Sequence, residues 1–276
     1  MIKNNLLILH AGATEKNYWL DLWRYRELFS VLAWRDISVR YKQTLIGLSW
    51  ALLQPLLTLL ILTFIFGKLA NFQARDDIPY ALTVYAGLLP WQLFSTSLMG
   101  ASNSIVGNSN LISKVYFPRL IVPISSMVVC LLDFLISFII LLGLLLYFKF
   151  LPSWHIFTLP FFVFMAILSS LGPGLLITAL NVKYRDFRYV IPFLMQFGLY
   201  ASPVGFNSSV VPEQWRFLYS LNPMVGVIDG FRWAILGGNS PIYLPGFLLS
   251  WGVISLFLWM GVKQFRRMEK GFADIL

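Results

Sequence analysis

Charge is what this sequence has least of. Asp, Glu, Lys and Arg together make up 12% of its 276 residues, while 58% are hydrophobic and mean hydropathy is +0.73. Soluble domains carry about 25% charged residues, so this chain has too little polar surface to face water on all sides. That excludes a soluble enzyme or binding module and predicts an all-α integral membrane protein. Cysteine occurs once, at Cys130 inside an apolar run, so no disulfide can form within the chain. Histidine occurs twice, at His10 and His155, and no His, Cys, Asp or Glu cluster has metal-ligand spacing. There is no G-x-x-x-x-G-K-[ST] phosphate loop: Gly67-Lys68 is followed by Leu69 and has no glycine five residues before it. If the protein is a pump, its nucleotide engine sits on another chain. No cleavable signal is expected in MIKNNLLILHAG, whose apolar stretch is too short.

What the sequence does have is long uncharged runs. A spanning helix needs about 20 mostly apolar residues. Six runs qualify: 43–67; 78–113, with its apolar part at 80–99; 120–148, broken by Asp133; 150–182; 189–212; and 233–262, apolar mainly from 243 onward. Lysine and arginine in the connections set orientation. With both ends inside, the outer segments hold five of the 21 basic residues, Lys68, Arg75, Lys149, Arg216 and Arg232, and the inner segments hold the other sixteen. The formal charge of +9 therefore reports topology rather than nucleic-acid binding. The expected division is an N-terminal region at 1–44, a six-helix membrane domain at 45–262 and a tail at 263–276.

Three segments are neither spans nor simple loops. In 18–32, Tyr18, Leu22, Tyr25, Phe29 and Leu32 recur at steps of four and three, one helical face, with Trp19, Trp23 and Trp34 as interfacial aromatics. Two readings stand: a helix lying flat on the membrane surface, or one packed on a partner. In 107–123, Asn108, Ser109 and Asn110 offer capping chemistry to a short helix at 111–117 that Pro118 stops. Exposed Tyr116 and Phe117 would make it a docking knob; burial against the protein's own spans is the other reading. In 206–243, two half-length helices are predicted at 211–220 and 223–236. They read as re-entrant elements plugging a pathway, or as a surface cap.

Polar residues inside the spans need company, since an unsatisfied polar atom in hydrocarbon costs several kcal/mol. Gly47, Trp50, Gln54 and Thr58 share one face of the first run, next to Pro55. Tyr189, Phe193, Phe197 and Tyr200 form a stripe on the fifth, with Gln196 beside it. Such a stripe is either packing or a mixed polar–aromatic wall on which a sugar chain could slide. Asp133 is either a proton or ion site or a structural carboxyl, bonded to neighbouring spans or sitting toward a water-filled crevice.

Four stretches resemble the membrane permease subunits of type-2 ABC exporters, closest to the branch that exports O-antigens, with capsule and teichoic-acid exporters as relatives. They are LAWRDISVRYKQTLIGLSWALLQPLL, LISKVYFPRLIVP, NVKYRDFRYVIPFLMQFGLYASPV and LNPMVGVIDGFRWAIL, in that order. The resemblance implies that two copies of this chain pair with two ATP-binding subunits, in a bacterial inner membrane with both termini cytoplasmic. ATP and Mg would sit on those subunits and no cofactor in this chain. A lipid-linked polysaccharide would pass through a pore between the copies. Gly47, Trp50, Gln54, Thr58, Tyr189, Phe193, Gln196, Phe197 and Tyr200 would line it. Tyr18, Leu22, Tyr25, Phe29, Leu111, Ser113, Lys114, Tyr116, Phe117 and Arg119 would couple to the ATP-binding subunits. Trp215, Asn222, Pro223, Asp229 and Arg232 would gate the outer mouth. The competing classes are an ion-coupled transporter using Asp133, a membrane enzyme, which lacks the grouped acids and histidines it would need, and a permease for small lipids or drugs.

Overall fold

The structure, a computed structural model, describes residues 18–42, 45–69, 78–237 and 242–275, without the side chains of 45–48, 68, 69, 273 and 274. It is 85% helix, and no strand occurs among the described residues. The chain begins with α1 (Tyr18–Arg24) and α2 (Arg26–Tyr41). A single helix over 18–32 was expected; the helix instead breaks at Tyr25 and resumes as far as Tyr41. The apolar periodicity survives the break. Tyr18 and Leu32 are buried, and Leu22, Tyr25 and Phe29 pack beside them, while Trp19, Trp23 and Trp34 stay exposed on the other side.

The next element, α3 (Leu45–Leu62), carries Pro55 and continues as a π-helical stretch, Thr63–Leu69. It is followed by α4 (Tyr80–Gly107), α5 (Ser109–Lys114) and α6 (Ile121–Tyr147). The last of these lies within one residue of the charge-free run at each end. After a 3-10 turn, Trp154–Thr158, come α7 (Leu159–Lys183), α8 (Phe187–Ala201), α9 (Glu213–Tyr219), α10 (Pro223–Ile235) and α11 (Leu244–Met268). A turn at Glu269–Gly271 leads into α12 (Phe272–Ile275).

Among the described residues, four helices are long and apolar enough to cross a membrane: Ser49–Gly67, Ile121–Tyr147, Trp154–Lys183 and Leu244–Gly271. α4 has 28 residues, about 42 Å at 1.5 Å per residue, but is richer in serine. α8 has 15, about 22 Å, less than the roughly 30 Å hydrocarbon core. It stops at Ala201 because Pro203 forces Ser202 into an extended conformation (ψ 154°).

α4 is the central helix, packed by α6, α7 and α10. Side-chain bonds tie α4 to α7: Thr178 Oγ1 donates to Ala101 O (2.8 Å) and Asn181 Nδ2 to Ser102 O (3.0 Å). Where α7 crosses α11 the backbones touch. A Cβ on Gly261 would stand 2.2 Å from Gly172 O, so only glycine permits this approach, the usual way for helices to pack closely in lipid. The larger apolar core fills the middle of the bundle and the end that holds α9 and α10. A second cluster sits at the opposite end, where α1, α2, α5 and α12 meet the ends of α4, α7 and α11 and the start of α6.

Candidate conduit and coupling surfaces

α3 and α8 flank α4: α3 packs on α4 and α6, and α8 on α4 and α7. α8 is held by its back. Ile191 is buried, and Gly198 lies against Trp91, where a Cβ would sit 2.6 Å from the indole. Its other side is uncovered. Tyr189 is 79% exposed, Phe193 59%, Phe197 60% and Tyr200 54%, with Gln196 exposed beside them. Phe193 and Phe197 touch each other, ring centroids 4.6 Å apart. The stripe is thus not covered by the described residues. On α3, Trp50 and Gln54 are also exposed. Thr58 is half-buried and donates to Gln54 O (2.9 Å), so its hydroxyl is satisfied on its own helix. Gly47 belongs to α3, but its surroundings lie outside the described residues. At the far ends of the two helices the Phe66 ring lies against Gly205, whose carbonyl accepts from the Tyr80 hydroxyl.

Asp133 is not aimed into this surface. The Arg40 guanidinium lies 2.6 Å from its Oδ2, and the Tyr41 hydroxyl donates to Oδ1. The carboxylate on α6 therefore anchors the end of α2, rather than bonding to a neighbouring span. Burial and that hydrogen bond push the Tyr41 phenol above its ordinary range, so it remains a donor.

At the α9–α10 end, Asn222 caps α10: its Oδ1 accepts from Met224 N (3.0 Å) and its Nδ2 donates to Ser202 Oγ (2.9 Å). Pro223 occupies the first helical position, where no N–H is needed. Arg232 is 1% exposed. Its guanidinium donates to three backbone carbonyls: Thr83 (Nε, 3.1 Å), Phe206 (Nη1, 2.7 Å) and Val204 (Nη2, 2.7 Å). Gly87 makes room for it, since a Cβ there would meet Nη2 at 2.8 Å. Asp229, one turn earlier, borders a small cleft with Ser208, Arg216 and Tyr219. Trp215 on α9 is exposed.

At the other end, α5 is shorter than expected. It stops at Lys114, where Val115 turns extended (ψ 134°). Asn108 does not cap it; its Nδ2 donates to Ser104 O and its Oδ1 accepts from Arg35 Nη2 (2.6 Å). Ser113, Lys114 and Tyr116 are exposed. Phe117, expected to be exposed, is buried at 3%, and Leu111 and Arg119 are half-buried. Tyr18, Leu22, Tyr25 and Phe29 face the same cluster as Phe117. Among the described residues, the surface exposed at this end is Ser113–Tyr116 together with the tryptophan side of α1 and α2. Among the described residues no three His, Cys, Asp or Glu side chains gather where a metal could sit.

Sequence periodicity did not single out Trp91 against Gly198, Gly87 under Arg232, or Tyr80 on Gly205. Glycines standing inside otherwise apolar helices were the available signal.

The model of the ABC-2 type transporter family matches residues 27–236. The chain is 28% identical to the O-antigen export system permease protein RfbA of Myxococcus xanthus over 257 residues, 92% of this chain and 97% of that protein. It is 27% identical to a Klebsiella pneumoniae protein of the same name (91% and 95%). To the polysialic acid transport protein KpsM of Escherichia coli it is 26% identical (86% and 91%).

Proposed function

We propose that this chain, which belongs to the ABC-2 type transporter family, is the permease subunit of an ATP-driven exporter of lipid-linked surface polysaccharide of the O-antigen type. Two copies form the pathway, and two ATP-binding subunits bind ATP and Mg and drive it. The protein sits in a bacterial inner membrane with both termini cytoplasmic. The region 1–44 lies at the interface, 45–262 is the six-span membrane domain and 263–276 the tail.

One observation carries the reading: the polar–aromatic faces of α3 and α8 flank the central helix and are left uncovered by the described residues. Gln54 and Gln196 on those faces would be costly against acyl chains. Facing a second copy across a hydrated lumen, they and the rings of Trp50, Tyr189, Phe193, Phe197 and Tyr200 form a wall of hydrogen-bonding edges and apolar faces, with Gly47 and Thr58 completing the α3 side. That wall grips no single sugar unit tightly, as passage of a polymer requires. The cap of Trp215, Asn222, Pro223, Asp229 and Arg232 closes its outer mouth, and the α5 end meets the ATP-binding subunits. The names of the relatives support O-antigen as cargo, and the likeness to a polysialic acid transport protein keeps capsule polymer as the second reading. The engagement of Asp133 by Arg40 and Tyr41 speaks against an ion site.

The test is single-cysteine labelling in a Cys130→Ser background. In the assembled transporter, Gln54→Cys and Phe197→Cys should react with a membrane-impermeant maleimide and be slowed by lipid-linked polysaccharide. Reaction only with a lipid-soluble reagent would overturn the conduit.

A further inference from the structure

The segment 269–275 follows α11 at the end of the described chain and is part of the packed structure. The Tyr18 hydroxyl donates to Glu269 Oε2 (3.0 Å), joining the two ends of the described chain across 251 residues. Burial pushes the Tyr18 phenol well above its ordinary range, and the Glu269 carboxylate raises it further, so this donor persists at any physiological pH. The Arg266 guanidinium stacks 4.3 Å from the centre of the Tyr18 ring. Phe272 is 1% exposed, set edge-on to Phe265 at 5.5 Å between centroids, with the Arg119 guanidinium 6.0 Å over its ring. α12 also packs on α5, whose inward residue Ile112 is 2% exposed in the same cluster as Tyr18, Phe117, Phe265 and Phe272.

α5 has six residues, too few to hold a helix by itself in water. Its position must come from what it rests on. It packs on α12 and on the end of α4, and its inward Ile112 shares a cluster with Tyr18, Phe117, Phe265 and Phe272.

We infer that segment 269–275 is a brace for α5: Phe272, held down by Phe265 and by the Tyr18–Glu269 bond, fixes the angle at which α5 presents Ser113 and Lys114 and leads into Tyr116. The coupling role rests on the reading above that α5 meets an ATP-binding subunit; the bracing itself does not. A push on α5 is then transmitted to α7 and α11 instead of being lost in movement of α5 alone. Phe272 acts as a positioning residue.

The experiment uses the full chain co-expressed with its ATP-binding subunit. A cysteine at the buried face of α5, Ile112→Cys with Cys130→Ser, reports lifting of α5 through its maleimide labelling rate. Adding Phe272→Ala should raise that rate on the order of tenfold or more, because the truncation opens a cavity under α5. Adding Phe272→Leu instead should restore most of the protection. Permease abundance in the membrane, followed in parallel, shows that the bundle itself is intact. In the transporter with Ile112 and Cys130 in place, Phe272→Ala should leave the ATP KM unchanged and lower polysaccharide export per ATP hydrolysed, again restored by Phe272→Leu. Unchanged Ile112→Cys labelling would overturn the brace, whatever happens to export. Accelerated labelling with unchanged export per ATP would keep the brace and overturn the docking role of α5.

Discussion

Replacing Arg232 tests whether the α10 element is pinned or merely resting on the bundle. A hydrogen bond to a charged group contributes about 1.5–3 kcal/mol net, and Arg232 makes three, to Thr83, Val204 and Phe206. The simple total overstates the loss, because removing the guanidinium also removes its own burial penalty. Breaking a buried, fully engaged charge usually costs about 3–5 kcal/mol, and about 4 is expected for Arg232→Met, which keeps the volume and leaves three carbonyls without a donor. Arg232→Lys keeps the charge, but one ammonium cannot replace a planar fork reaching three separate carbonyls, so it should recover less than half. At roughly 2–4 °C per kcal/mol for chains of this size, Arg232→Met should lower the melting temperature of the detergent-purified permease by about 8–16 °C. Fluorescence-detected size exclusion after heating measures this directly. A variant melting within about 2 °C of the parent would refute the argument, because the three carbonyls would then have other donors.

Alanine at Phe193, Phe197 and Tyr200 together removes large rings that the chain does not bury, so the melting temperature should shift by less than about 3 °C, within the range of surface substitutions, while export falls; a large loss of stability would mean that the rings pack internally. Tyr116 and Phe117 should separate sharply: Tyr116→Glu keeps the protein folded and weakens co-purification with the ATP-binding subunit, whereas Phe117→Glu, burying an unpaired charge at several kcal/mol, lowers permease abundance itself. A double-mutant cycle with Arg40→Ala and Asp133→Asn should give a coupling of about 1 kcal/mol, kept small because the arginine side chain is half exposed; ATP-independent, ion-driven flux abolished by Asp133→Asn would return that carboxylate to a transport role.

Helix identity was legible where composition and stop signals agree. The third run predicted α6 almost to the residue, and Asn222-Pro223 marked the start of α10 because the cap and the proline act locally. The face running from Tyr18 to Leu32 was legible too, but its partner was not: periodicity gives the angle of an apolar stripe and says nothing of what covers it. Here the chain covers it with Phe265, Phe272 and the ends of α4 and α7, contacts between residues some 80 to 250 positions apart. The same blindness explains Phe117. Its exposure was inferred from its place at the end of a short cytoplasmic helix expected at 111–117, whereas it is buried in a cluster that Tyr18 and Phe272 join from the two ends. α8 ended early for a local reason, the extended residue before Pro203, that the run of apolar residues concealed. The aromatic stripe on α8 was legible as a stripe; only the fold shows that α4 and α7 take the opposite side.

The six runs and the four apolar spans differ for a physical reason. Hydropathy measures the surface a helix shows to hydrocarbon, not whether it crosses. α4 buries eighteen of its 28 residues, so it has little need of a greasy exterior and can carry serines whose hydroxyls return to their own backbone, as Ser102 does to Leu98 O and Ser104 to Ala101 O. The most covered of the long helices is therefore among the least apolar of them. The Ser49–Gly67 helix is the opposite case: its mean hydropathy is 2.0 and only 17% of it is buried. Such a helix could simply face lipid, were it not for Trp50 and Gln54 on its uncovered side. An amide left in hydrocarbon without partners costs more than one or two exposed leucines return. The described residues cover neither that amide nor the α8 rings, and the proposed second copy, with what passes between the two, would supply the missing partners.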